Sequence, residues 1–323
     1  MDMKKIDTNS IGFKKTLPLI LVYAVMIFLA VIANVISPGF LALGHIGSIL
    51  RQMAFLGIAC IGQTLVILTG GIDLSLRYTL VFANIVCAQV ISGENANTPK
   101  AFVITILVSA LIGLINGCGV YFLKIPAMIM TLATGTAVYG LAYIYCDGAP
   151  KGKTSPILSF IANDKIGGVI NGTTLIWIIL AAAIIIALKC TTYGRSIYAI
   201  GVNRECAKYS GINVPAILLM TYVFASIFAG ITGMLFLGYT GTSFLSTGES
   251  YNMDSIAAVV VGGTAVSGGV GGYVGTIAGV GIMTIISSIM TVLNMPESGK
   301  KMVQGAIIIV LLLSVYGKKS KDN

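Results

Sequence analysis

The chain has 323 residues, of which 56% are hydrophobic and only 10% are charged. A soluble domain carries about 25% charged residues, so this composition excludes a soluble enzyme, a secreted disulfide-rich domain and a disordered chain. The apolar residues run in stretches of roughly 20, the length that crosses a bilayer. The net charge is +9, and we interpret the basic residues between these stretches as topology signals. We therefore expect an all-α, polytopic membrane protein that binds no nucleic acid.

Hydropathy predicts about ten transmembrane helices in one membrane domain over residues 1–323. The first apolar run is longer than a typical signal-peptide core and is followed by no clear cleavage site, so we predict an uncleaved first span. Segment 43–51 is predicted to be a short surface helix, and 146–172 a polar loop. The candidate spans are 17–36, 52–69, 76–92, 101–123, 126–145, 173–188, 215–238, 256–271, 276–293 and 302–317.

The distribution of basic residues predicts the orientation. With ten spans, both termini and segment 189–213 lie on one side, together with Lys124. Twelve basic residues fall on that side and seven on the other. Because cytoplasmic loops carry an excess of Lys and Arg, we predict that both termini are cytoplasmic.

Segment 189–213 is the longest predicted cytoplasmic loop. Asn203 is placed to cap a short helix that ends at Gly211. Such a helix would expose Arg204, Glu205 and Lys208 and would suit a soluble partner. An ordinary solvated connector fits the same residues equally well.

Asp73 lies between two spans with almost no loop, in the stretch Gly70-Gly71-Ile72-Asp73-Leu74-Ser75. A carboxylate near membrane depth costs about 2.5–3.5 kcal/mol on insertion scales, so it normally has a partner or a function. Gly70 and Gly71 allow a sharp reversal of the chain. Asp73 can therefore cap the next helix, or it can take part in transport or proton coupling.

A second glycine run includes Gly262, Gly263, Gly268 and Gly269. Small residues allow helices to pack closely in a membrane, and glycine also permits a broken helix beside a substrate path. Neutral polar residues inside the predicted spans suit a path for an uncharged polar solute, or they serve only as hydrogen bonds between helices. With Asp73, the candidate pathway residues are Gln63, Asn84 and Asn116.

Metal and nucleotide chemistry find little support. The single histidine, His45, argues against a histidine-based metal site, and the six cysteines form no CxxC pair. The stretch 148–154 is one residue short of a phosphate-binding GxxxxGK[ST] loop. A membrane enzyme would need a paired-carboxylate, His-cluster or Ser-His arrangement, and none is evident.

Taken together, the motifs at 70–75, 199–212 and 262–269 resemble those of the inner-membrane permease subunits of ribose-type, binding-protein-dependent ABC importers. The order and spacing of the motifs match, and the resemblance covers nearly the whole chain. It implies a non-hydrolysing subunit of the bacterial cytoplasmic membrane that translocates a monosaccharide by alternating access.

The resemblance also implies partners. Two permease subunits form the pathway, a cytoplasmic ATPase binds ATP and Mg²⁺, and an extracytoplasmic protein delivers the sugar, so this chain itself is expected to bind no cofactor or metal. The segment around 203–211 resembles the helix that couples permease to ATPase. The residues expected there are Asn203, Arg204, Glu205, Lys208, Ser210 and Gly211.

One departure from the family pattern is Leu76-Arg77, where a small, glycine-containing pair is common. Arg77 could pair with Asp73 four residues away, which would weaken a coupling role for the aspartate. The alternative function is an ion-coupled secondary transporter of a small polar solute that uses Asp73.

Overall fold

The computed structural model describes residues 8–166, 168–296, 298–300, 302–303 and 305–306. Nearly all regular structure in them is helical, and the exception is a short antiparallel ribbon of β1 (Lys165–Ile166) and β2 (Ile170–Asn171). The helices are α1 (Thr8–Ile36), α2 (Leu43–Leu68), α3 (Leu76–Ile91), α4 (Thr98–Tyr121), α5 (Ala127–Tyr145), α6 (Pro156–Asn163), α7 (Gly172–Cys190), α8 (Thr192–Val202), α9 (Arg204–Tyr209), α10 (Val214–Thr240), α11 (Tyr251–Val261) and α12 (Tyr273–Val292).

Within the described residues, seven of these helices are long and apolar enough to cross a membrane, namely α1, α2, α4, α5, α7, α10 and α12. The polytopic all-α class is therefore confirmed. Helices α3 and α11 are apolar but shorter, at 16 and 11 residues. The predicted span 302–317 falls mostly outside the described residues, as do both ends of the chain. The count of ten spans and the cytoplasmic termini thus stay predictions.

Three boundary predictions need correction. The surface helix predicted over 43–51 is continuous with α2, because no proline interrupts 43–68 and Gly44 and Gly47 are tolerated inside the helix. The loop predicted over 146–172 contains α6 and the β ribbon. The span predicted over 256–271 is wrong, since α11 ends at Val261. Gly262 caps this helix and Gly263 follows with a φ of +88°, a conformation that glycine tolerates best.

Helix α10 is the centre of the fold and packs against α2, α3 and α4. Its contact with α4 depends on small residues. A Cβ at Gly113 would lie 2.6 Å from the Cα of Val223, and a Cβ at Gly117 would lie 3.0 Å from the Cα of Leu219. Gly113 and Gly117, which have the GxxxG spacing, therefore allow α4 and α10 to pack closely.

A second tight contact joins α11 to α12. A Cβ at Gly275 would overlap the carbonyl oxygen of Gly262, and a Cβ at Gly279 would overlap that of Ala258. Beside this contact, Tyr273 donates its hydroxyl to the Gly57 carbonyl at 2.7 Å and accepts from Nε1 of Trp177 at 2.8 Å. These bonds fix α2, α7 and α12 to one another.

Candidate functional site

The predicted capped helix is present as α9. Asn203 accepts a hydrogen bond from the Cys206 amide at 2.9 Å through its side chain, as an N-cap does. At the other end Gly211 adopts a φ of +81° and Ser210 donates its hydroxyl to the Cys206 carbonyl at 2.9 Å. The helix therefore begins and ends where the sequence predicts.

The two faces of α9 differ in character. Ala207 is buried in a small cluster with Ile200, Val214 and Leu218, which holds α9 on the ends of α8 and α10. The charged residues on the other side are exposed, namely Arg204, Glu205 and Lys208. A short, charged and firmly seated helix is thus presented at one end of the molecule.

Three motifs that are far apart in the sequence meet behind α9. The amide of Gly269 donates to the carbonyl of Leu68 at 2.9 Å. A Cβ at Gly268 would lie 2.8 Å from the amide nitrogen of Gly70 and 3.0 Å from the carbonyl oxygen of Gly201. Gly268 and Gly269 both have positive φ angles. Glycine is required here because three backbone segments touch directly.

Two tyrosines of α8 attach this helix to its neighbours. Tyr198 donates its hydroxyl to the Gly271 carbonyl at 2.9 Å. The Tyr193 hydroxyl lies 3.1 Å from that of Thr221 on α10. Burial raises the pKa of Tyr193 to about 12, although the Thr221 hydrogen bond lowers it. Both contacts therefore involve neutral hydroxyl groups at physiological pH.

An open cavity of about 740 Å³ lies beside α9, between it and the connection from α4 to α5. Its charged lining residues are Lys124, Arg204, Glu205 and Lys208, and Gly70 and Gly71 form part of its wall. Lys124 thus lies at the same end of the molecule as segment 189–213, as its place in the predicted topology requires.

Asp73 is buried, with 1% of its surface exposed, and its hydrogen bonds are local. One carboxylate oxygen accepts from the amide of Ser75 at 2.8 Å and from the Ser75 hydroxyl at 2.6 Å. Asn116 of α4 donates to the same hydroxyl at 2.8 Å. Burial raises the pKa of this carboxyl, whereas the hydrogen bonds from Ser75 lower it. Asp73 thus orders the connection before α3 and links it to α4.

The predicted pairing of Arg77 with Asp73 does not occur. Residues 73–75 are not helical and α3 begins only at Leu76, so the four-residue spacing does not put both side chains on one helix face. The Arg77 guanidinium instead lies over the rings of Tyr78 and Tyr139.

The other candidate pathway residues are buried within the single chain. Asn84 donates to the Gly233 carbonyl at 3.0 Å and so joins α3 to α10. The Gln63 amide has no hydrogen-bond partner among the described residues. Gln63, Asn84 and Asn116 are each 0% exposed. Asn84 therefore bonds α3 to α10, and Asn116 bonds α4 to the connection before α3. A role in the pathway stays a prediction for all three residues.

Comparison with known proteins decides the family. Residues 45–312 match the family described as the permease component of the branched-chain amino acid transport system. The chain belongs to this permease family. It is 35% identical to the galactose/methyl galactoside import permease of Escherichia coli K12, over 89% of this chain and 91% of the relative.

Further permeases of this family are similar over comparable lengths. Identity is 34% to the ribose import permease of Bacillus subtilis 168, over 89% of each chain. It is 33% to that of Haemophilus influenzae Rd, over 90% of this chain and 91% of the relative. No solved structure matches the chain. The chain is thus a multi-pass transport permease of the bacterial cytoplasmic membrane and not an enzyme.

Sequence reasoning missed two features of this permease. The contact of Leu68 with Gly269 joins residues two hundred positions apart, and glycine pairs alone do not indicate which backbone they approach. The side chain of Asn252 bonds to the Arg77 amide and the Leu74 carbonyl at the start of α3. These bonds were also missed, since an asparagine just after a loop carries no specific signal.

Proposed function

We propose that this chain is the membrane subunit of an ATP-driven importer and that it translocates a monosaccharide by alternating access. The observation that carries the proposal is α9, which is capped at both ends and exposes Arg204, Glu205 and Lys208. A rigid charged helix at a protein surface suits docking to a soluble partner better than a flexible loop does, because less conformational entropy is lost on binding.

The proposed partners are a cytoplasmic ATPase, an extracytoplasmic sugar-binding protein and a second permease chain. ATP and Mg²⁺ would bind to the ATPase alone. When the ATPase subunits close, α9 would move with them. The junction of Gly70, Gly201 and Gly268 lies directly behind α9, so a shift of this helix would reach the connection that leads to α3.

The sugar assignment rests on the relatives. The galactose and ribose import permeases match over about nine-tenths of this chain. The buried polar groups of the fold are mostly neutral amides and hydroxyls, which is consistent with an uncharged, hydroxyl-rich solute.

The first test is isolation of the complex. The tagged chain is extracted from its native membrane in mild detergent, and the proteins that accompany it are identified by mass spectrometry. We expect a stoichiometric ATPase. A variant with R204A, E205A and K208A together is expected to lose the ATPase and sugar uptake while still inserting in the membrane. If this variant keeps the ATPase and the sugar uptake of the unaltered chain, the assignment of α9 as the docking helix is wrong.

The matched control replaces charges outside α9. Asp164 and Lys165 are exposed in the connection between α6 and α7. A variant with D164A and K165A removes charge from another exposed segment, and we expect it to keep the ATPase and the uptake rate.

A further inference from the structure

The guanidinium of Arg77 lies beside two tyrosine rings where α3 meets α5. Its guanidinium carbon lies 5.4 Å from the centroid of the Tyr78 ring and 5.9 Å from that of Tyr139. The two rings meet edge to face, with centroids 5.6 Å apart. A guanidinium within about 6 Å of an aromatic face is attracted to it. The Nε atom is buried and has no hydrogen-bond acceptor among the described residues.

The backbone of Arg77 is also fixed. Its amide donates to the side-chain oxygen of Asn252 at 2.9 Å, and the side-chain amide of Asn252 donates to the Leu74 carbonyl at 2.9 Å. Asn252 thus joins the first turn of α3 to the first turn of α11. The charge of Arg77 is therefore held at one place in the fold.

Arg77 lies beside the membrane-spanning helix α5, partway along its length. Tyr139 is the thirteenth residue of α5, so it lies about 18 Å from the start of the helix and about 9 Å from its end. Arg77 is half-buried, so part of its side chain reaches the surface of the chain. A cation at that depth faces a bundle interior or water, because exposure to lipid is costly. The surface around Arg77 is therefore not a lipid-facing surface.

Helix α5, which passes Arg77, runs from one polar cavity to another. Helix α5 begins at the cavity beside α9 and ends at a second polar pocket of about 250 Å³, lined by Gln89, Tyr145 and Lys151 among others. Between them, Phe82 and Tyr145 continue the line of aromatic rings, with centroids 6.1 Å apart. We call this strip, formed by Arg77, Tyr78, Phe82, Tyr139 and Tyr145, the α3–α5 seam.

We propose that the α3–α5 seam lines the solute pathway and that Arg77 makes this pathway selective against cations. The inference rests on the proposed function, since only a transporter has such a pathway. A fixed positive charge in a narrow path repels cations and protons. A neutral sugar can pass, because its hydroxyl oxygens accept hydrogen bonds from the guanidinium while its C–H face packs on tyrosine. An importer driven by ATP benefits from such a barrier, since cation leak would discharge the membrane potential.

The first experiment tests where Arg77 lies. The variant R77C is made in a chain whose six cysteines are replaced, and the assembled transporter in vesicles is treated with a membrane-impermeant thiol reagent. The control is F28C, on the exposed apolar face of α1. We expect R77C to be labelled and F28C not. Absence of labelling at R77C would overturn the placement, whether lipid or a second copy of the chain covers it.

The second experiment tests selectivity. Proton leak is followed with a pH-sensitive dye trapped in vesicles that contain the assembled transporter. We expect R77Q to raise the leak above that of the unaltered chain and R77K, which keeps the charge, to leave it low. Arg51 provides the control, since it stacks on Tyr239 at 4.5 Å outside the seam, and R51Q should not leak. Equal leak in R77Q and R51Q would overturn the selectivity.

The two proposals fail separately in these vesicles. ATP-driven sugar uptake is measured in the same preparation. Absence of uptake in the unaltered chain would count against the proposed function, whereas labelling and leak report on Arg77 alone.

Discussion

At the scale of single residues, Asn203 determines where the exposed helix α9 begins. Replacing an N-cap asparagine with alanine removes one hydrogen bond and costs about 1 kcal/mol of helix stability. We expect N203A to loosen α9 and to reduce sugar uptake and its coupling to ATP hydrolysis. Uptake and ATPase activity are measured together in vesicles. N203D, which keeps a capping oxygen, should behave like the unaltered chain, and an equal loss in N203D and N203A would contradict the capping role.

Asp73 offers a second prediction, because its bonds to Ser75 need an acceptor and not a charge. The side-chain oxygen of asparagine accepts the same two hydrogen bonds, so D73N should retain most of the uptake. D73A leaves the Ser75 amide and hydroxyl unsatisfied in a buried site, which costs about 1–3 kcal/mol. We expect lower thermal stability and less folded protein. A loss of uptake in D73N that follows the proton gradient would contradict this account and favour an ion-coupled transporter.

Local patterns were the part of the site that the sequence could predict. The caps of α9 depend on residues within one short segment, so the ends of this helix could be predicted from Asn203 and Gly211. The partner of Arg77 was not predictable, because the expected pairing assumed a helix through residue 73. The chain is not helical there, and the contacts of Arg77 depend on Tyr139 of α5, which is far away in the sequence.

At the scale of helices, the contact between α11 and α12 requires glycine at position 275. A methyl group there would overlap the Gly262 carbonyl oxygen, and overpacking of this kind typically costs about 1–3 kcal/mol. We expect G275A to lower the melting temperature of the detergent-purified protein. Gly44 is also helical but has open space around it, so G44A is the control and should leave stability unchanged. Equal stability of G275A and the unaltered chain would contradict the packing argument.

The hydroxyl of Tyr273 is expected to matter for the joint of α2, α7 and α12. Y273F leaves Nε1 of Trp177 and the Gly57 carbonyl without this partner in a buried site, at a cost of about 1–3 kcal/mol. The melting temperature should fall. Tyr209 is 86% exposed, so Y209F loses a hydroxyl without a buried partner and should have no effect. A similar response in both variants would contradict the role of the joint.

The helices themselves were largely predictable, because long apolar runs have few alternatives in a membrane. The errors lie where glycine interrupts such a run. Hydropathy treats 256–271 as continuous, yet Gly262 and Gly263 end α11 and the chain continues through an irregular segment to α12. An apolar composition indicates that a segment can lie in the membrane, but it does not indicate that its backbone is helical.

At the scale of the whole molecule, the extended and irregular stretches share one end of the fold with α9. The connection of α2 to α3, the junction at Gly201 and the segment before α12 all meet there. In our account this end receives motion from the ATPase, and the α3–α5 seam carries the solute. The arrangement follows from tertiary contacts that no single motif contains.

The most direct test of this account is the energy source of transport. The chain is reconstituted into vesicles with its ATPase and binding protein, and uptake of labelled sugar is measured either with ATP on the ATPase side or with proton and sodium gradients alone. We predict uptake with ATP in the absence of any ion gradient, and its loss when the three charged residues of α9 are replaced. Uptake driven by an ion gradient without ATP would contradict the account.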